Sequence, residues 1–240
     1  DFVISTNFLA HTNNLKKILK GINLILKPNG ILVVEVQYLI NVLKKNGFDS
    51  FHQDHKFYYT VRTLKNVLEI FGLYTFDYEF TDKSKEILRV YVKKTKNLMS
   101  KRLINILRYE KKYDTFIEIK KLNIFRKKYL IKLGKLLNKL SKKNIVAVSA
   151  APRGCVLISS LNFSNKKIKY VGEVPGSFKI NKYMPSTNIK IVNENKILLD
   201  NPDYVLILAW HLKDRIISFF KSKKLKAKFI IPLPKLKIIK

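Results

Sequence analysis

Short unbroken apolar runs alternate along this chain with stretches whose apolar residues recur every three or four positions. Phe2–Ser5 and Ile31–Val36 read as buried parallel strands, because strands covered on both faces lose the in–out alternation. Between them Leu15, Ile18, Leu19, Ile22, Ile25 and Leu26 fall on one helical face, with Asn13 as the predicted cap and Pro28-Asn29-Gly30 as the stop. Thr60 is placed to cap a second helix through Phe71, ended by Gly72; Leu73–Phe80 and Ile87–Val92 then read as an antiparallel pair. Leu98–Leu140 is basic and helical, with an interrupted stripe from Leu103 to Leu140 that suits a connecting segment. A membrane-surface helix or a nucleic-acid arm are the other readings.

From Asn144 the pattern restarts. Ile145–Ser149 predicts a strand, 150–154 a turn, and Cys155–Leu161 the opening of a helix. Ile168–Gly172, Ile189–Val192, Tyr204–Leu208 and Phe229–Ile231 complete a predicted parallel sheet, with a helix over Lys213–Lys223. Between strands, Glu173–Pro185 is a long irregular loop carrying Lys179 and Lys182, of the kind that tends to hold ligands. The expected fold is α/β: residues 1–93 in one domain, 94–143 as a helical connector, and 144–240 as a second α/β domain.

Composition changes this picture little. No apolar run reaches the roughly 18 residues of a membrane span, and the one cysteine, Cys155, excludes an internal disulfide and fits a cytoplasmic protein. A net charge of +31 invites nucleic acid as a partner. Yet of 48 basic residues only seven are Arg, and the Lys are spread along the whole chain, which argues for solvated faces and against base readout.

The densest chemistry lies in Gly47–Tyr59, GFDSFHQDHKFYY, which holds His52 and His55, two of the four histidines. Imidazole titrates near neutral pH, and a neighbouring carboxylate such as Asp54 can orient it, so the segment is either a polar surface loop or a base that removes a proton. A metal pair would need a third ligand at sensible spacing, and none follows. Further along, the strand–turn–helix around Arg153 is a natural phosphate site, since free backbone N–H groups and an arginine fork face the anion. Trp210 is either a stacking platform or a core aromatic.

The His segment resembles the FDxxYHEHxxY pattern of the S-adenosylmethionine-dependent sugar C-methyltransferases, with the pattern's Tyr on His52, its first His on Gln53, its Glu on Asp54, its last His on His55 and its last Tyr on Tyr58. Asn7-Phe8-Leu9-Ala10-His11 is similar to the family's N-x-L-x-H, and Ser84–Arg89 stands where it has H-G-G-S-x-R, with only Arg89 retained. The turn at Ala150–Gly154, the Glu173–Pro185 loop, Ala209-Trp210-His211 and IIPLP at Ile230–Pro234 match further blocks in order.

The resemblance implies a partial Rossmann-like class I methyltransferase sheet, a helical connector and a second Rossmann-like domain that binds the sugar nucleotide. It implies methyl transfer to a ring carbon of a nucleotide-linked keto-sugar, with His55 as general base and Asp54 and His52 positioning the sugar. Asn7, His11, Tyr58, Arg89, Arg153, Lys179, Lys182, Trp210 and His211 are the implied substrate contacts. S-adenosylmethionine is the implied cofactor, although its glycine-rich loop is missing here, and structural zinc would belong to an N-terminal domain that this chain lacks. The chain reads as a truncated enzyme, or as one half of a split one whose partner, beyond the substrate, is a separate chain supplying the N-terminal half. A non-catalytic nucleotide-sugar binder is the alternative.

Overall fold

The computed structural model describes residues 1–81, 85–161 and 167–240. The chain divides into two compact units, one made of 1–46 and 53–122, the other of 47–52 and 123–240.

In the first unit, β1 (Phe2–Thr6) and β2 (Ile31–Gln37) run parallel, joined by α1 (Leu15–Ile25). Its preceding residue is Asn14 rather than the expected Asn13, and neither caps it through a side chain: Thr12 Oγ1 accepts from the Asn14 N–H at 3.0 Å instead. A short α2 (Leu39–Lys44), too brief to show a helical period in sequence, follows β2. Then comes α3 (Val61–Ile70), where Thr60 and Thr63 exchange side-chain and backbone bonds as a capping box. Gly72, at φ +69°, takes the left-handed turn that ends it. β3 (Tyr74–Phe80) and β4 (Ile87–Lys93) form the expected antiparallel pair, and the sheet order is β1-β2-β4-β3. The core lies on one face only: Leu19 and Ile22 of α1 and Leu64 and Leu68 of α3 pack with Leu32, Val34, Leu88 and Val90. Each such buried aliphatic side chain stabilises by about 1.5–3 kcal/mol.

The basic helical stretch is two helices, α4 (Lys101–Lys111) and α5 (Thr115–Lys139), because Tyr113 and Asp114 interrupt it and Asp114 Oδ1 accepts from the N–H groups of Phe116 and Ile117. α4 and the start of α5 belong with the first unit, the rest of α5 with the second.

The second unit has β5 (Ile145–Val148), α6 (Pro152–Ser160), β6 (Tyr170–Glu173), β7 (Lys190–Asn193), α7 (Asn195–Asp200), β8 (Tyr204–Ile207), α8 (Lys213–Ser222), β9 (Lys228–Ile231) and β10 (Lys237–Ile239). The order is β10-β9-β8-β5-β6-β7, all parallel except the β9–β10 pair. β10 and α7 had no pattern strong enough to predict them. α6 starts at Pro152, three residues before the expected Cys155, since proline suits the first helical turn. Its Gly154 is required by close approach: a Cβ there would sit 2.6 Å from Leu208 Cβ.

Candidate functional site

In the first unit, two loops meet beyond the carboxyl end of β1. Asn7 leaves the strand with φ +52° while its N–H still bonds the Glu35 carbonyl of β2 at 2.9 Å. Leu9 and Ala10 then turn inward, both buried. The Ala10 carbonyl accepts from the N–H of Lys56 (2.7 Å) and of Phe57 (3.2 Å), and the Tyr59 hydroxyl donates to the Leu9 carbonyl at 3.3 Å. Residues 9–11 and 54–59 are thereby zipped together, which brings three implied site residues to one place. The His11 and His55 rings meet edge to face with centroids 4.6 Å apart, and Tyr58 lies 5.4 Å from His55.

His11 Nδ1 is 2.9 Å from the Asp54 carbonyl oxygen. A carbonyl only accepts, so Nδ1 carries the hydrogen and Nε2 keeps the basic lone pair in the neutral ring. Asp54 thus contributes its backbone, while its side chain is exposed to solvent. The resemblance gives that carboxylate the role of positioning the sugar.

The far end of the loop is pinned by a residue that reasoning missed. Glu110 of α4, buried, accepts from the Val61 and Arg62 N–H groups at 2.9 and 2.7 Å and from the Tyr38 hydroxyl at 2.9 Å. Its carboxylate neutralises the N-terminus of α3 directly after the His loop. Burial first, and then the Glu110 charge, push the Tyr38 phenol far above its ordinary range, so it stays a donor. The available signal was a lone acid in the otherwise basic run Lys101–Lys112.

Arg89 is held within the sheet. Its Nε reaches Glu35 Oε1 at 2.6 Å and its Nη1 reaches Glu79 Oε1 at 2.7 Å, with the Tyr91 hydroxyl donating to the same Glu79 oxygen. The Tyr91 hydrogen bond, and after it the Arg89 guanidinium, hold the Glu79 carboxyl below its usual range. Ser84, the start of the segment that led to Arg89, lies outside the described residues.

The second unit gathers another set at the carboxyl ends of β5, β6 and β8. Ser149 leaves β5 at φ +71°, a conformation that costs a non-glycine residue about 1–3 kcal/mol and that clusters at functional sites. The Ala150 N–H donates to Glu173 Oε2 at 2.8 Å, and Lys179 Nζ donates to the Ala150 carbonyl at 2.9 Å, so both backbone groups of Ala150 are taken. Arg153, in the first turn of α6 and not in the preceding loop, pairs through Nε with the buried Asp49 and lies over the Trp210 ring at 5.4 Å. Trp210 is only 5% exposed.

His211 occupies the short 3₁₀ turn after β8, on the surface, and Lys182 stands over Phe178 at 5.0 Å, its N–H donating to the Lys179 carbonyl at 3.1 Å. Asp49 belongs to the FD of the His segment, where the sequence alone gives it no partner. His52 falls in the 47–52 stretch that groups with the second unit, where Phe48 packs on Phe125 and Tyr129, whereas His55 groups with the first. Among the described residues no group of three His, Cys, Asp or Glu is arranged to hold a metal ion.

Two family models match the chain: a C-methyltransferase C-terminal domain over residues 87–234, and a methyltransferase domain over residues 1–77. The chain belongs to the C-methyltransferase C-terminal domain family. It is also 23% identical over 237 residues to C-methyltransferase NovU of Streptomyces niveus, an alignment covering 96% of this chain and 56% of that protein, so the chain spans a little over half the relative's length. The break between the two matched ranges falls inside the β3–β4 hairpin; β4 and α4 pack with the first unit although they lie in the C-terminal match.

Methyltransferase families imply S-adenosylmethionine as methyl donor. The β1–α1 connection, Asn7–Asn14, contains no glycine that would let backbone approach a ligand, and the acid at the end of β2, Glu35, is engaged by Arg89. No helix among the described residues is long and apolar enough to cross a membrane.

Proposed function

We propose that this chain is the acceptor-handling part of a C-methyltransferase, removing the proton from the carbon beside the ketone of a nucleotide-linked sugar. The observation that carries this reading is the cluster of His11, His55 and Tyr58 at the carboxyl end of β1, where α/β folds collect their ligands. The sugar itself rests on the likeness of GFDSFHQDHKFYY to the sugar C-methyltransferase pattern. His55 is the base: its ring nitrogen takes the proton, and the C–H bonding pair moves into the enolate whose carbon becomes nucleophilic. Such a step needs a base that is partly free near neutral pH, which imidazole supplies. His11, fixed by the Asp54 carbonyl, holds the loop and presents Nε2 beside it. Asn7, at the end of β1, completes the sugar contacts in this unit.

The second unit is read as a Rossmann-like nucleotide domain. β5 stands where the strand order reverses between β6 and β8, and the turns after β5 and β8 flank the crevice that binds ligands in such sheets. Arg153, Lys179 and His211 lie on or beside those turns as phosphate and sugar contacts, with Trp210 as the floor beneath Arg153. Because Arg153 is paired with Asp49, a diphosphate would have to share or displace that carboxylate.

The methyl-donor site comes from protein outside this sequence, in the same polypeptide or a separate chain. Support comes from the first sheet: Phe2 and Ile4 of its edge strand are each 68% exposed, and a strand and helix laid against β1 would cover them. A second reading, a nucleotide-sugar binder without catalysis, is favoured by the commitment of Arg89 to Glu35 and Glu79. Calorimetric titration tests the proposal: a nucleotide-linked keto-sugar should bind this chain, and S-adenosylmethionine should not. Absence of sugar-nucleotide binding would refute both readings.

A further inference from the structure

α5 carries a repeat that neither site uses. From Ile117 to Lys135 the sequence reads Ile-x-x-x-Lys-x-x three times, with Ile117, Ile124 and Ile131 each followed four residues later by Lys121, Lys128 and Lys135. Seven residues are nearly two helical turns, so these positions stay on one face and drift only about 20° per repeat. In the second unit the opposite face of the helix is consumed by the core, where Tyr129, Leu133 and Leu137 are buried. The outer face is bare: Ile124 is 54% and Ile131 60% exposed, with Lys127, Lys128, Lys132, Lys135 and Lys139 exposed around them. The sole acid on α5 is Glu118, paired with Lys121 at 2.7 Å.

This arrangement discriminates between occupants. A partner helix packing as a coiled coil would need an apolar residue three positions after each isoleucine, and those positions are Lys120, Lys127 and Gly134. A protein interface core excludes lysine, whereas here Ile124 and Ile131 are ringed by it. A nucleic-acid backbone would use the lysines but leave the isoleucines in water. A layer of anionic headgroups suits both residue types: isolated aliphatic side chains enter between headgroups, and lysines extend along the surface, where the negative potential attracts them. We infer that the outer face of α5 is a docking surface for an anionic lipid bilayer, holding the protein at the membrane surface without a span. This inference is independent of the proposed chemistry.

The test is vesicle flotation of the full chain on phosphatidylcholine alone and on phosphatidylcholine mixed with phosphatidylglycerol. Binding is expected only on the anionic vesicles and should fall steeply with salt. The double variant Ile124→Asn/Ile131→Asn keeps every charge and sits at exposed positions. It should lose binding tenfold or more, as should Lys127→Gln/Lys128→Gln/Lys135→Gln. Removing three exposed lysines elsewhere (Lys221→Gln/Lys223→Gln/Lys226→Gln) should change it less than twofold. If the isoleucine variant binds like the parent, or the two lysine triples weaken binding equally, net charge alone is responsible and the inference is overturned. Duplex DNA displacing the protein from vesicles, with an affinity that the isoleucine changes leave unaltered and that exceeds the lipid's, would likewise overturn it.

Discussion

The two sheets bury themselves differently. In the second unit, β5 and β6 are buried at every residue, and β8 and β9 at all but their first, as expected of parallel strands covered on both faces. In the first unit, β2 and β4 alternate strictly between buried and half-buried, and β1 buries Ser5 alone. One sheet is finished. The other has a packed face toward α1 and α3 and an open face where Phe2, Ile4, Ile31 and Val33 stand on neighbouring strands. The lesson is that a run such as ILVVEV, apolar enough for two-sided burial, is only half used in this chain. Its second face marks what the proposed donor half would cover.

The largest effect that sharpens this contrast is a core deletion in the finished sheet. Phe229→Ala, at a fully buried position, should cost about 3–5 kcal/mol, read as a lowered urea midpoint of the second unit. Next comes Glu110→Ala in the first unit, which strands two backbone N–H groups and the Tyr38 hydroxyl. About 2–3 kcal/mol of destabilisation is expected, detected by faster amide exchange in Val61–Leu64.

A smaller effect is set by pH. Arg102 holds Asp77 below the ordinary carboxylate range, with Ser100 adding a bond and burial opposing. A depressed folded-state value means the stabilisation is present in full above the unfolded carboxylate's range and is lost only as pH falls through the lowered value. α4 should therefore stay docked at mild acidity and release at lower pH, and Asp77→Asn should abolish that transition in far-UV circular dichroism. Smallest is Ile4→Ser on the open face, within about 0.5 kcal/mol of the parent, while self-association measured by sedimentation should decrease. A large loss of stability there would break the contrast, because it would mean that the face is already covered.

What the sequence revealed, and what it hid, follows the same physics. Periodicity located β2, α3 and the strands of the second sheet because each is decided by apolar spacing over several residues. It missed α2, α7 and β10, which are six, six and three residues long and leave no period to detect. The His segment was legible as chemistry, and the backbone zipper to Ala10 that places His55 beside His11 was not, because main-chain bonds leave no residue-type trace. Charged residues were hardest to assign. Arg153, read as a phosphate contact, also pairs with Asp49; Asp54, read as positioning the sugar, also holds His11 through its carbonyl; Glu110, which fixes the loop's exit, carries no sequence signal beyond its charge. A carboxylate's partner is a tertiary fact, and spacing along the chain does not encode it.

The proposed proton removal is separable from methylation, which makes it directly measurable. A nucleotide-linked keto-sugar incubated with the protein in deuterium oxide, without any methyl donor, should exchange the hydrogen beside its ketone, followed by proton NMR. The account predicts exchange that His55→Ala reduces about a hundredfold or more, and that Asp54→Ala leaves within about twofold of the parent, since the Asp54 carbonyl survives the change. Exchange undiminished in the His55 variant would contradict the assignment of the base; binding of the sugar nucleotide with no exchange in the parent chain would leave the non-catalytic binder as the reading that stands.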